Sequence, residues 1–94
     1  MALIFARIRV SDVDAWRAAF AEADALRREH GIVTREIYRD ATYHDGLILL
    51  LDAADLEVAQ RFYHAAEQSQ RMARSGLERP AEMWMATSTG APAA

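Results

Sequence analysis

The chain has no cysteine and no lysine. Without cysteine there can be no disulfide, no thiolate metal site and no thiol nucleophile. Without lysine, all eleven basic residues are arginine, a bias that points to GC-rich, bacterial coding rather than to chemistry. No basic run stands out and the net charge is −3, so there is no electrostatic footprint for a nucleic-acid partner. The first residues, Met1-Ala2-Leu3-Ile4-Phe5-Ala6-Arg7, have no basic segment ahead of their apolar ones, and Arg7 interrupts the run. They read as neither a secretion signal nor a membrane span, so a cytoplasmic protein without a membrane partner is expected. No internal repeat and no linker is visible. What is present is a globular composition, 52% hydrophobic over 94 residues, enough for one modest core but not for two. The expected organisation is one domain over 1–88 and a disordered tail over 89–94, which includes Gly90-Ala91-Pro92-Ala93-Ala94.

Leu3 to Val10 alternates as a β-strand, with Ile4, Ala6, Ile8 and Val10 on one face and Leu3, Phe5, Arg7 and Arg9 on the other. Ser11 or Asp12 offers an N-cap for a helix from Val13 to His30, whose apolar stripe is Val13, Trp16, Ala19, Phe20, Ala23 and Leu26. Gly31 sits where a helix-ending glycine belongs. Ile32 to Arg39 reads as a second strand, Asp40 to Gly46 as a polar hairpin turn ending in Asp-Gly, and Leu47 to Leu51 as a continuous apolar strand. Asp52 or Asp55 opens a second helix with Leu56, Ala59, Phe62, Tyr63 and Ala66 on its inner arc, breaking near Gly76 ahead of Pro80. Glu82 to Thr87 is the last strand, with Trp84 and Met85 expected to straddle it.

The order βαββαβ implies an α+β, ferredoxin-like fold, a four-stranded antiparallel sheet with both helices on one face. Leu47, Ile48, Leu49, Leu50 and Leu51 point alternately to both faces, yet all five are apolar. A sheet with one wet face should alternate with polar residues. The helices cover one side, and nothing in the chain remains for the other. A second copy of the sheet is the simplest cover, so a homodimer is expected, with two sheets packed face to face. Arg7 and Arg9 on that face each need a carboxylate, and Glu36 and Glu82 are the nearest on the neighbouring strands.

From about Leu3 to Thr87 the chain resembles the small dimeric α+β barrel proteins, the group that contains antibiotic-biosynthesis-type monooxygenases and small polyketide cyclases. The resemblance is carried by Val10-Ser11-Asp12-Val13-Asp14-Ala15-Trp16-Arg17, His30-Gly31-Ile32, Tyr38-Arg39-Asp40, the apolar strand, and Asp55-Leu56-Glu57-Val58-Ala59. It implies the barrel dimer. It does not single out an activity, since cofactor-independent quinone-forming monooxygenases, haem degraders, cyclases and chlorite dismutase relatives share the fold. The haem degraders and antibiotic-type monooxygenases rely on an asparagine and a tryptophan near the cavity. This chain has no asparagine, and Trp16 and Trp84 both lie off the second helix. Similarity to the plant-type cyclases rests on a tyrosine and a histidine in and just after the second helix, where Tyr63 and His64 are adjacent here.

His30, His64 and Tyr63 are therefore the candidate catalytic residues, and Trp16, Phe20, Phe62, Trp84 and Arg7 the candidate substrate-binding residues. Each also has a plainer role. His30 falls within the first helix's apolar arc near its C-terminus, where it reads as a cap or packing residue, or as a base at the rim of a cavity. His44 reads as a surface loop residue, and His64 lies about 100° from Tyr63 around the helix, toward solvent. Tyr63 packs mid-arc, or donates a hydrogen bond to a carbonyl or enolate oxygen. Three separated histidines make no metal site, so no metal and no cofactor is expected. Three functions fit. The first is a cofactor-free polyketide-type cyclase or isomerase acting on a flat oxygenated substrate between sheet and helices. The second is a cofactor-independent monooxygenase oxidising a quinol- or anthrone-like aromatic. The third is a non-catalytic dimer that binds a small aromatic metabolite or a partner.

Overall fold

Strand β1, Ala2–Arg9, keeps the alternation its sequence predicts. Ala2, Ile4, Ala6 and Ile8 are buried, while Leu3, Arg7 and Arg9 are half-buried and Phe5 is exposed. The computed structural model describes residues 2–65 and 82–89. After β1 come helices α1 (Val13–Glu22) and α2 (Asp24–Glu29), strands β2 (Ile32–Arg39) and β3 (Gly46–Ala53), helix α3 (Leu56–His64) and strand β4 (Glu82–Thr87). The four strands form one antiparallel sheet in the order β2-β3-β1-β4. This is the expected α+β ferredoxin-like arrangement. The expected end of the second helix near Gly76 and Pro80, Ala66 on its arc, and the tail from Gly90 lie outside the described residues.

Local chemistry sets the helix starts. Asp12 Oδ1 accepts from the Ala15 N–H at 3.0 Å to open α1, and Asp55 Oδ1 accepts from the Val58 N–H at 3.1 Å to open α3. Each cap satisfies a donor that the helix cannot, a gain of about 1 kcal/mol.

The helix expected to run unbroken from Val13 to His30 is instead two. At Ala23 the backbone leaves helical geometry (φ −90°, ψ 2°) and its N–H donates to Phe20 O at 3.3 Å, one residue short of the α-helical partner. The chain tightens there and restarts as α2. Alanine carries no signal for such a break, since it is the best helix former. Ala23 is itself buried, so packing rather than propensity holds the turn. Gly31 ends α2 at φ +72°, where a Cβ would also stand 3.0 Å from Ala54 Cβ. Both facts require glycine.

The core lies between sheet and helices. Ile4, Ala6, Ile8 and Val10 meet Leu47, Leu49, Leu51 and Ala53 from β3, Ile32 from β2, Trp16 from α1, and Ala59 and Phe62 from α3. Met83 and Met85 pack against this cluster while Trp84 is 54% exposed, so β4 does straddle the sheet. Among the described residues no helix packs on the opposite face. Register places Phe5 opposite both Leu50 and Trp84, and Ile48 opposite both Arg7 and Tyr38. Phe5, Val33, Tyr38 and Trp84 are exposed there.

The arginines of that face do not take the expected partners. Arg7 donates to Asp40, Nε to Oδ2 at 2.7 Å and Nη2 to Oδ1 at 3.3 Å. Arg9 donates to Asp45, Nε to Oδ1 at 3.0 Å and Nη2 to Oδ2 at 3.1 Å. Glu36 and Glu82 are on the correct strands, but the β2–β3 turn folds over the end of β1, where Val10 N–H donates to Asp45 O at 3.0 Å. That brings both aspartates within forked reach of the guanidiniums. Tyr43 completes the cluster, with the Arg7 and Arg9 guanidinium carbons 4.8 and 4.5 Å from its ring centre.

Candidate functional site

A second arginine cluster, differently built, lies on the helix side. Five of the residues singled out in the sequence meet there. Trp16 and Phe20, one helical turn apart on α1, stack with ring centres 4.8 Å apart. His30, which caps the C-terminus of α2, sits 4.8 Å from Phe62 on α3. Phe62 meets Tyr63 edge-on at 5.0 Å. Arg27 joins the two groups. Its guanidinium carbon lies 3.6 Å from the Phe20 ring centre, its Nη2 donates to Phe20 O at 2.6 Å, and its charge acts on Tyr63.

Arg27 was not a candidate from sequence. The signal that could have found it is its spacing: Phe20, Ala23, Arg27 and His30 recur at i, i+3, i+7 and i+10, placing an arginine inside the apolar stripe. The residue is buried, 2% exposed. Asp24 is the acidic group beside it, at 3.8 Å and itself partly exposed. Asp24 gives its closer contact, 2.8 Å, to Arg28. Arg27 Nε has no hydrogen-bond partner among the described residues.

Burial sets the ionisation of the cluster. It pushes the Arg27 guanidinium down from its ordinary value, opposed by Tyr63 and Asp24, and the group remains a cation at neutral pH. Burial also pushes the Tyr63 phenol up, opposed by Arg27, so at neutral pH Tyr63 is a neutral O–H donor. His30 Nδ1 lies 2.8 Å from Leu26 O. A carbonyl can only accept, so Nδ1 carries the proton and a neutral His30 presents Nε2 as a basic lone pair. The capping role expected of His30 is therefore present, and it also fixes the tautomer that a base requires.

The remaining candidates are elsewhere. His64 is exposed in the last turn of α3, on the arc away from Phe62. His44 is exposed in the β2–β3 turn. Trp84 and Arg7 stand on the open face of the sheet, with the sheet between them and the aromatic cluster, and Arg7 is engaged with Asp40. Among the described residues no three His, Asp or Glu side chains gather as a metal-binding group, and no helix is long and apolar enough to cross a membrane.

The arrangement defines a class by its fold: a ferredoxin-like α+β domain with an aromatic cluster, a fixed imidazole and a buried cation on the helix side of the sheet. No protein-family model matches the sequence, and no curated protein matches it significantly. Solved structures match over nearly the whole chain. SnoaB from Streptomyces nogalater, a cofactor-independent oxygenase, superposes with a TM-score of 0.70 at 14% identity, covering 96% of this chain and 94% of its own. A provisionally assigned antibiotic biosynthesis monooxygenase from Bordetella bronchiseptica gives 0.72 at 15% identity, covering 94% and 96%. Rv0793 from Mycobacterium tuberculosis gives 0.65 at 16% identity, covering 98% of each chain. The chain thus has the fold of the antibiotic-biosynthesis-type monooxygenases, as its sequence resemblance implied.

Proposed function

We propose that the protein is a homodimeric small-molecule enzyme that ionises a flat, oxygenated substrate held among Trp16, Phe20, Phe62 and Tyr63. The observation that carries this reading is the pairing of His30 with Tyr63 through Phe62. A base of fixed tautomer and a phenol kept neutral stand at two ends of one aromatic cluster. His30 Nε2 removes a proton α to a carbonyl, and the Tyr63 O–H donates to the oxygen on which negative charge develops. Return of the proton to a different carbon makes the reaction an isomerisation. Attack of the enolate carbon on a carbonyl of the same molecule, with loss of water, makes it a cyclisation. No step in either route draws on a cofactor.

A second reading is favoured by the likeness to SnoaB. The same carbanion gives up electrons to dioxygen, and a ring CH₂ plus O₂ becomes a ring carbonyl plus water. Anthrone separates the readings. In deuterium oxide the enzyme is expected to exchange the acidic ring hydrogens, and an oxygen electrode shows whether uptake accompanies exchange. His30→Gln is expected to slow exchange by about 10²-fold or more. If His64→Gln and not His30→Gln abolishes it, the base is misassigned. If wild-type enzyme neither exchanges nor oxidises any of a panel of anthrones, quinols and aryl ketones, a binding role replaces the enzyme.

The dimer forms through the open face. Phe5, Val33, Leu50, Tyr38 and Trp84 make a contiguous, mostly apolar surface on a sheet whose other side is already filled. Exposed apolar surface of that kind marks an interaction site. A second copy of the same surface is a self-complementary cover.

A further inference from the structure

The two arginine clusters differ in one respect that packing does not account for. Arg7 and Arg9 each have a forked aspartate partner. Arg27 is more deeply buried than either and has none among the described residues: one backbone carbonyl, one aromatic face, and a carboxylate 3.8 Å away that is bound more closely to another arginine. A cation removed from water without a paired anion is costly, and each buried donor left unmade adds to the cost. Stacking on Phe20 offsets part of it. A leucine or methionine would fill the same place in the stripe without that cost.

We propose that Arg27 is a ligand-binding residue, its Nε–H, unpartnered among the described residues, donating to an anionic oxygen carried by a planar ring that packs on the Trp16–Phe20 stack. This rests on the reading of the aromatic cluster as a small-molecule site, and it names the ligand class: aromatic oxyanions, whether an enolate-type ring oxygen or a ring carboxylate. Three features point to this chemistry. The guanidinium carbon already lies over an aromatic face, 3.6 Å from its centre, and a planar cation of this kind also stacks on a further ring. Arg27 and Trp16 are buried, so a charge-assisted hydrogen bond there is stronger than at the surface. Tyr63, held edge-on to Phe62 at 5.0 Å in the same aromatic cluster, carries a second O–H donor for the same kind of oxygen.

The test compares ligands that differ only in charge. The probes are 2-hydroxy-1,4-naphthoquinone, which is ionised at neutral pH, its neutral 2-methoxy analogue, and 1-naphthoate with its methyl ester. Binding is read by quenching of Trp16 fluorescence in a Trp84→Phe background. Each ionised probe is expected to bind at least tenfold more tightly than its neutral partner. Arg27→Met is expected to erase that preference, and Arg27→Lys to keep part of it. Preference for the hydroxyquinone alone assigns the site to ring oxyanions, and preference for the naphthoate alone to carboxylates. Equal binding of charged and neutral probes, no binding of any at millimolar concentration, or a preference that survives Arg27→Met would overturn the proposal. If Arg27→Met fails to fold, Arg27→Lys decides the matter, since a preference as large as that of the wild type would overturn the proposal. Anion preference without turnover leaves this inference standing while the enzymatic reading fails, and turnover without anion preference does the reverse.

Discussion

On its helix side the sheet presents Ile4, Ala6, Ile8, Leu47, Leu49 and Leu51, all buried. On its other side the sheet presents Phe5, Ile48, Leu50 and Trp84, half-buried or exposed. Along β3 the two rows are equally apolar in sequence and only their cover differs, while β1 adds Arg7 and Arg9 to the open row. The charges follow a reversed logic. On the open side, where water is near, Arg7 and Arg9 are fully matched by aspartates. On the covered side, where a mismatch is most expensive, Arg27 is left incompletely paired. Each side therefore has one unmet requirement. Among the described residues, the open side has apolar surface without cover, and the closed side has a cation whose one carboxylate neighbour is 3.8 Å away and shared with Arg28. We propose that a second subunit meets the first requirement and an anionic ligand the second.

Substitutions that touch one side and spare the other sharpen this contrast. The largest effect is expected from Leu51→Ala, at a residue 2% exposed. Loss of about 2–5 kcal/mol in chemical denaturation is the ordinary cost of such a cavity. Gly31→Ala comes next, since it forces a Cβ into a left-handed turn and against Ala54 Cβ at 3.0 Å. A loss of about 1–2 kcal/mol is expected from the backbone alone.

A third effect is confined to acid and belongs to the open side. The Arg7 guanidinium, with help from the Thr42 backbone N–H, holds the Asp40 carboxyl down at about 2. The folded state thus keeps Asp40 ionised where the unfolded chain binds a proton near its ordinary value of 3.8. The resulting stability is fully present above that value and is lost as pH falls through about 2. Denaturation followed from pH 5 down to 2 is expected to show this loss, and Asp40→Asn to remove that part of the pH dependence. The smallest effect is expected from Leu50→Ala, one residue from Leu51 but on the open face. It should cost about 1 kcal/mol or less in the isolated fold. A cost equal to that of Leu51→Ala, independent of protein concentration, would break the contrast between the faces.

Much of the fold was legible because its signals are local. Alternation in Leu3–Val10 separated the two faces of β1, Asp12 and Asp55 marked helix starts, and Gly31 marked a stop. The break at Ala23 was not legible, because no residue there opposes a helix and the turn is fixed by packing. Nor were Asp40 and Asp45 as arginine partners. That pairing needs the register in which Arg9 faces Gly46, set between strands distant in sequence. Of the site, the aromatic members and His30 could be named one by one from their arcs. Their convergence required α3 to lie against the end of α2, which only the tertiary structure supplies. Arg27 was hidden by its type, since arginines on helices are ordinarily part of a solvated face.

The central claim is that the open face of the sheet is completed by a second copy of the chain. Sedimentation equilibrium at micromolar concentration tests it directly. The wild-type protein is expected at twice the 10.5 kDa chain mass, and Trp84→Arg, which sets a charge in place of the most exposed large apolar side chain of that face, at 10.5 kDa with its fold retained. A wild-type protein that sediments as a single 10.5 kDa species at that concentration would contradict the account.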